Sequence, residues 1–163
     1  RNLIVEGHVT VNGTSRCNAG GICATMPGAR TLVEFCRFNG SVSSTTTSAS
    51  AMNRAGGIAG GVTDIKGCIA DATVTISGGV SDNSGAGGLA GRASTAIYSA
   101  WNSNKTSTSI EIISLSPTGC TGFTDIAGLN NLLSGINNGV PASTYIWKAG
   151  ATAADYPTLQ PRN

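Results

Sequence analysis

The sequence predicts an all-β fold: a β-solenoid of about three to four coils, resembling a parallel β-helix, with a C-terminal cap containing one short helix. Three observations point there. A glycine hexapeptide recurs at residues 19, 55 and 86. Gly (23), Ala (20), Thr (19) and Ser (18) make up half of the 163 residues, while Leu, Ile, Val and Phe are few. Short apolar segments alternate with polar residues at the period of a strand rather than a helix.

In chain order, Ile4 to Gly13 alternates around Val5, Val9 and Val11 and reads as an incomplete first copy. The hexapeptide then appears as Ala19-Gly20-Gly21-Ile22-Cys23-Ala24. It returns as Ala55-Gly56-Gly57-Ile58-Ala59-Gly60 and as Ala86-Gly87-Gly88-Leu89-Ala90-Gly91. A second apolar segment follows each copy: Leu32 to Cys36, Ile65 to Ile69, and Ile97 to Trp101. This alignment sets Ala100 or Trp101 of the third copy where Cys36 and Cys68 stand in the others. A third segment follows in two copies, Gly40 to Ser43 and Ala72 to Gly78. Val74 and Ile76 should face inward and Thr73 and Thr75 outward. Ser41 to Ser50 is otherwise polar and reads as an exposed loop.

One such unit cannot bury its apolar face alone, but stacked units can. A tight corner must then recur in every coil, at the strand spacing of about 4.8 Å. The paired glycines would supply it through positive φ or close backbone approach. Ile22, Ile58 and Leu89 would point inward and stack.

From Asp125 the pattern changes. Leu129, Leu132, Leu133 and Ile136 share one helical face. Thr124 or Asp125 can cap the start and Asn138-Gly139 can end it. Tyr145 to Lys148 reads as a strand, and Asp155 to Leu159 as an extended close, because Pro157 biases Tyr156 away from helix. The division is residues 1–122 for the repeats and 123–163 for the cap. The cap should shield the open end of the solenoid, with Trp147 and Tyr156 as its plug.

Bulk properties exclude several functions. No apolar run reaches the ~18 residues of a transmembrane helix. The chain opens at Arg1 without Met or signal peptide, which suggests a processed product or part of a longer chain. Ten basic residues stand scattered among eight acidic ones, so no nucleic-acid stripe is read. The five cysteines, at 17, 23, 36, 68 and 120, have no zinc spacing. Buried thiols and one or two disulfides are equally open readings. No cofactor and no metal are expected.

The hexapeptide, with Ile65 and Cys68 downstream and Val74 beyond, resembles the GLUG repeat, named for its Gly-Leu-any-Gly core. Gly56, Gly57, Ile58 and Gly60 match it, as do Gly87, Gly88, Leu89 and Gly91. Gly20, Gly21 and Ile22 begin a copy in which Ala24 replaces the last glycine. The ending around Ile146-Trp147-Lys148 and Tyr156-Pro157-Thr158-Leu159 is similar to the segment that often closes such repeats. The resemblance implies a secreted or surface protein of bacteria, particularly Bacteroidota, or the non-catalytic part of IgA-specific metallopeptidases. No His-Glu-x-x-His motif is present, so peptidase chemistry does not carry over.

Catalysis finds little in the sequence. His8 is the lone histidine. Asp64, Asp71 and Asp82 sit near turn residues, which accounts for them. The expected function is a non-enzymatic, extracellular structural or adhesive module. Its partners would be other copies of itself or further domains of a longer chain. An alternative is a glycan or host-protein site on a C-terminal aromatic face with Tyr98 and Trp101. Ice binding by outward threonines ranks last, because the two threonine segments read as out of register. Cys36 and Cys68 should stack on one face, as thiols or as a disulfide.

Overall fold

The computed structural model describes residues 1–25, 31–80, 82, 84–108, 110–113 and 117–163. The strands begin with β1 (Ile4–Gly13), β2 (Cys17–Gly20), β3 (Cys23–Thr25), β4 (Leu32–Glu34) and β5 (Arg37–Thr46). They continue with β6 (Asn53–Gly56), β7 (Ala59–Lys66), β8 (Ile69–Ser77), β9 (Gly85–Gly87) and β10 (Ala90–Ile97). The series closes with β11 (Ala100–Asn102), β12 (Ile110–Ile113), β13 (Thr121–Phe123), helix α1 (Ile126–Gly139), β14 (Tyr145–Lys148) and β15 (Thr158–Pro161).

The chain is mostly β, and its large sheets are parallel. The first sheet has the order β1-β5-β8-β11-β13 and the second β2-β6-β9. The third has the order β12-β10-β7-β3, with β4 also on β7. The chain visits these sheets in rotation, so each strand pairs with its counterpart from the previous visit. Ile4 lies beside Arg37, Arg37 beside Ile69, Ile69 beside Ala100 and Ala100 beside Thr121. We call each visit to all three sheets a row. Parallel neighbours need such long crossovers.

One core lies between the three sheets. Phe38, Val42, Ile58, Ile65 and Leu89 are fully buried there, with many alanines. Small residues predominate because the sheets approach closely. A second cluster joins Phe35, Ile69 and Ala100 to Phe123, Leu129, Leu133, Ile136, Val140 and Trp147 of the C-terminal segment.

The helix forms as its apolar spacing predicts. Asp125 is its N-cap and accepts a 2.7 Å hydrogen bond from Gly128 N. Leu129, Leu133 and Ile136 are its buried face. Strands β14 and β15 pair antiparallel, Trp147 opposite Leu159. The C-terminal segment packs along the flank of the first sheet, where an end plug was expected. Trp147 stacks on Phe35 with ring centroids 6.2 Å apart, and its Nε1 donates to Gly67 O at 2.7 Å. The large ring needs apolar surface, and the corner beside β5 provides it.

Two further expectations change. Strand β5 continues through Thr46, so most of the Ser41 to Ser50 stretch is paired strand. Asp64 and Asp71 lie within β7 and β8 rather than in turns. The turn read at Asp82 to Gly85 falls partly outside the described residues, at 83.

Candidate functional site

The hexapeptides align as read. Ala19, Ala55 and Ala86 lie side by side, followed by Gly20, Gly56 and Gly87. Ile22 N donates to Ile58 O at 3.0 Å, and Ile58 N to Leu89 O at 2.9 Å. Ile58 and Leu89 are fully buried, and Ile22, in the first row, is half-buried.

These glycines serve close approach and not positive φ. A Cβ on Gly56 would stand 2.0 Å from Ala59 O and 2.5 Å from Ala90 Cα. Gly20 and Gly87 meet the same obstruction from Cys23 O and Ala90 O, each at 2.0 Å. Gly60 and Gly91 face the backbones of Ala19 and Ala55. Gly21, Gly57 and Gly88 make room for Phe38, Ala70 and the Trp101 ring. The second and third sheets therefore touch backbone to backbone at the hexapeptide.

Positive φ occurs at a different corner, between the third and first sheets. Phe35, Gly67, Tyr98 and Gly119 have φ of 48°, 59°, 45° and 62°. Phe35 N donates to Lys66 O, Gly67 N to Ile97 O and Tyr98 N to Thr118 O. Aromatic and glycine alternate, so each ring lies against the glycine one row on. Nothing periodic in the sequence announced this column.

The next residues form a column of thiols and a hydroxyl: Cys36, Cys68, Ser99 and Cys120. The register sets Ser99, rather than Ala100 or Trp101, beside Cys68, because Ala96 and not Ile97 pairs with Ile65. Cys36 and Cys68 lie on one face, and all five cysteines are free thiols. The neighbouring Cys68 thiol lowers the pKa of Cys36, while burial raises that of Cys68, whose thiol donates to Val33 O and Lys66 O.

Tyr98 and Trp101 do not share a surface. Trp101 turns into the main core against Gly88, and its Nε1 donates to Thr106 O at 3.1 Å. Tyr98 belongs to the second cluster, its ring held between Gly119 and Gly139. A depression of about 290 Å³ beside Tyr98 is lined by Ala100, Thr121, Leu132 and Ile136.

Asp71 is the site residue that sequence reasoning missed. It is 2% exposed, yet carries a charge. Lys105 Nζ lies 2.8 Å from its Oδ1, Asn102 Nδ2 donates at 2.9 Å, and the Tyr156 hydroxyl donates to Oδ2. Burial, then the hydrogen bond to Asp71, raises the Tyr156 pKa above its ordinary range. Arg37 lies over the Tyr156 ring at 4.7 Å and donates to Pro157 O and Glu6. This network clasps the C-terminal segment to the first sheet.

Beyond the clasp, the outer face of the first sheet is polar. His8, Ser41 and Thr73 lie side by side, then Thr10, Ser43 and Thr75, then Asn12, Thr45 and Ser77. The threonine segments are thus in register, contrary to the sequence reading. Val9, Val42 and Val74 bring the flanking positions into line. Ser43 Oγ donates to Thr10 Oγ1 at 3.2 Å. His8 Nδ1 lies 2.8 Å from Ser41 Oγ, both on this open face. A nucleophilic serine also needs an orienting partner for the histidine and oxyanion donors in a concave site. The described residues supply neither here.

Strand β1 is the outermost strand of its sheet. Its inward Val5, Val9 and Val11 are only half-buried, whereas Phe38 and Val42 one row on are fully buried. Leu3 and Ile4 are the exposed large apolar residues of the described chain.

Among the described residues, no three His, Cys, Asp or Glu side chains converge as metal ligands. None of their helices is long and apolar enough to cross a membrane. No protein-family model, curated protein or solved structure matched the chain.

Proposed function

We propose that this chain is a non-enzymatic structural or adhesive module of an extracellular bacterial surface, built as a GLUG-like β-solenoid. The rotation of the chain through three parallel sheets supports the solenoid reading. One observation carries the function: the apolar column is covered in the second row and open in the first, along the ten-residue edge of β1. A long parallel edge with only half-buried apolar side chains is a template for another strand. Its occupant is a further repeat or a second copy stacked head to tail, an arrangement that grows without closing.

Electron microscopy and mass photometry on the purified chain test this. Rods in the parent and single particles in Val9→Lys support edge pairing. Monodisperse single particles of the parent at high concentration, with β1 amides protected from exchange, would sink it.

A second reading concerns the polar face. The in-register hydroxyl rows repeat at about 4.8 Å across strands and about 6.7 Å along them. Such a lattice suits a periodic surface such as ice. Thermal hysteresis that disappears in Thr10→Tyr and Thr75→Tyr would favour it, and no hysteresis at millimolar protein removes it.

A further inference from the structure

Two glycines of the first sheet share a backbone conformation, and only one of them has a visible reason for it. Gly7 in β1 and Gly40 in β5 are register partners. Their φ values are 152° and 146°, a region occupied essentially by glycine alone. At Gly40 the reason is close approach, since a Cβ would stand 1.8 Å from Gly7 O. At Gly7 a Cβ would meet nothing within 4 Å. Pairing alone does not impose the conformation, because Ala72, next in the column, has no positive φ and is buried in the core. A glycine inside a strand commonly marks the close approach of another backbone. For Gly7 that backbone is not among the described residues.

The main chain of β1 is set for the same approach on its outer side. Leu3 O and Gly13 O accept from Arg37 N and Thr47 N at 2.8 and 3.1 Å. Odd-numbered residues of β1 therefore turn their N–H and C=O toward β5, and even-numbered ones turn theirs away. Glu6, His8, Thr10 and Asn12 thus direct their main-chain groups to the outer edge, where no strand lies among the described residues. Parallel neighbours repeat by translation. The direction in which a Gly40 Cβ would meet Gly7 O is, at Gly7, the direction of that edge. A parallel strand added there would set a carbonyl where the Gly7 Cβ would be, and the His8 N–H would donate to it. An antiparallel strand would present, opposite Gly7, a residue whose main-chain groups point away.

We infer that the outer edge of β1 receives a parallel strand donated by a further repeat, and that Gly7 is the residue that admits its backbone and sets its register. The inference rests on the edge reading proposed above and names the partner of that edge. The occupant matches the ten residues of β1 and carries β-branched residues at alternate positions, to cover Val5, Val9 and Val11. A second copy of the chain offers no such strand at the other end of the sheet. There β13 is three residues long. Beyond β11, Val74 N and Ala72 O of β8 already bond the Thr106 hydroxyl, at 3.1 and 2.9 Å.

The test adds a synthetic peptide with the β1 sequence, Ile-Val-Glu-Gly-His-Val-Thr-Val-Asn-Gly, to the full chain and follows residue-resolved hydrogen exchange. In the chain alone the Glu6, His8, Thr10 and Asn12 amides should exchange fast, and those of Val9 and Val11 slowly. The peptide should slow the fast amides about tenfold or more. N-methylation of the peptide at the position of Val9, whose N–H would face β1, should abolish that protection. N-methylation at the position of Thr10 should leave it intact. The reverse pattern means an antiparallel strand and overturns the inference, as does no protection at millimolar peptide. Gly7→Ala in the chain should remove peptide binding, and the two methylated peptides decide the case even if that variant does not fold. Rods formed by the chain alone mean that a second copy occupies the edge. That result overturns the donated strand and leaves edge pairing standing. Edge amides already slow in single particles overturn both.

Discussion

The ring of Phe35 lies against the backbone of Gly67 one row away, so that a Cβ there would stand 2.7 Å from its Cε2. Gly67 also has φ of 59°, a conformation costly for residues with a Cβ. Gly67→Ala should therefore destabilise the fold by about 2–4 kcal/mol, from backbone strain and overpacking together. Urea denaturation should show a lower midpoint at unchanged slope. Because Trp147 stacks on the same ring, its fluorescence should shift in the folded variant.

Glycines in this chain should separate into two classes. Gly56→Ala drives a methyl into the backbones of Ala59 and Ala90, which cannot rotate away. Its cost should exceed ~3 kcal/mol, by the overpacking of a site with no slack. Gly135, exposed on α1, has nothing within 4 Å of its Cβ position. Gly135→Ala should stabilise by about 0.5–1 kcal/mol through helix propensity. Thermal melts of the two variants beside the parent check both signs.

Asp71 should hold the C-terminal segment in place. Asp71→Ala removes the acceptor of Tyr156, Asn102 and Lys105 at once. The expected loss is about 1–3 kcal/mol, discounted because Lys105 is partly exposed. Hydrogen exchange should speed up in β14, β15 and α1 while β5 and β8 stay protected. Equal loss of protection everywhere would show that the network belongs to the global fold and not to the clasp.

Alkaline pH should weaken the fold through its thiols. Burial, then the Cys36 charge, pushes Cys23 up to about 11 from the ordinary 9.0. Burial also raises Cys68 and Cys120. Between about pH 9 and 11 the unfolded chain sheds thiol protons that the folded chain keeps, so unfolding gains. The urea midpoint should fall across that window, and Cys23→Ala should reduce the fall. A midpoint flat from about pH 8 to 11 in the parent would contradict the burial of these thiols.

The parallel all-β architecture and the pairing of hexapeptides were legible because both are repeated. Ala55 beside Ala19 and Ala86 needs only a search for self-similarity. Helix α1 was legible from one apolar face and its cap. One column was misaligned by a residue: Ile97 resembles Ile65 more than Ala96 does, but the ladder sets Ala96 beside Ile65 and so Ser99 beside Cys68. That same slip hid the register of nothing else, because Val9, Val42 and Val74 are aligned by their own strands. The polar rows were misjudged because Ser43, which lies between Thr10 and Thr75, was read both as the end of a repeat segment and as part of a loop.

The sequence by itself determined the period, the small-residue core and the direction in which strands add, since these follow from residues repeated at matching positions and from backbone bonding common to all of them. Tertiary structure alone decided what those positions face. It turned Trp101 inward onto Gly88 and put Trp147 on the flank instead of the end. It buried Asp71 under Tyr156. These contacts join residues that occur once, across sheets, and each is selected by the space and charge left when the backbones have packed. No period in the chain records that selection.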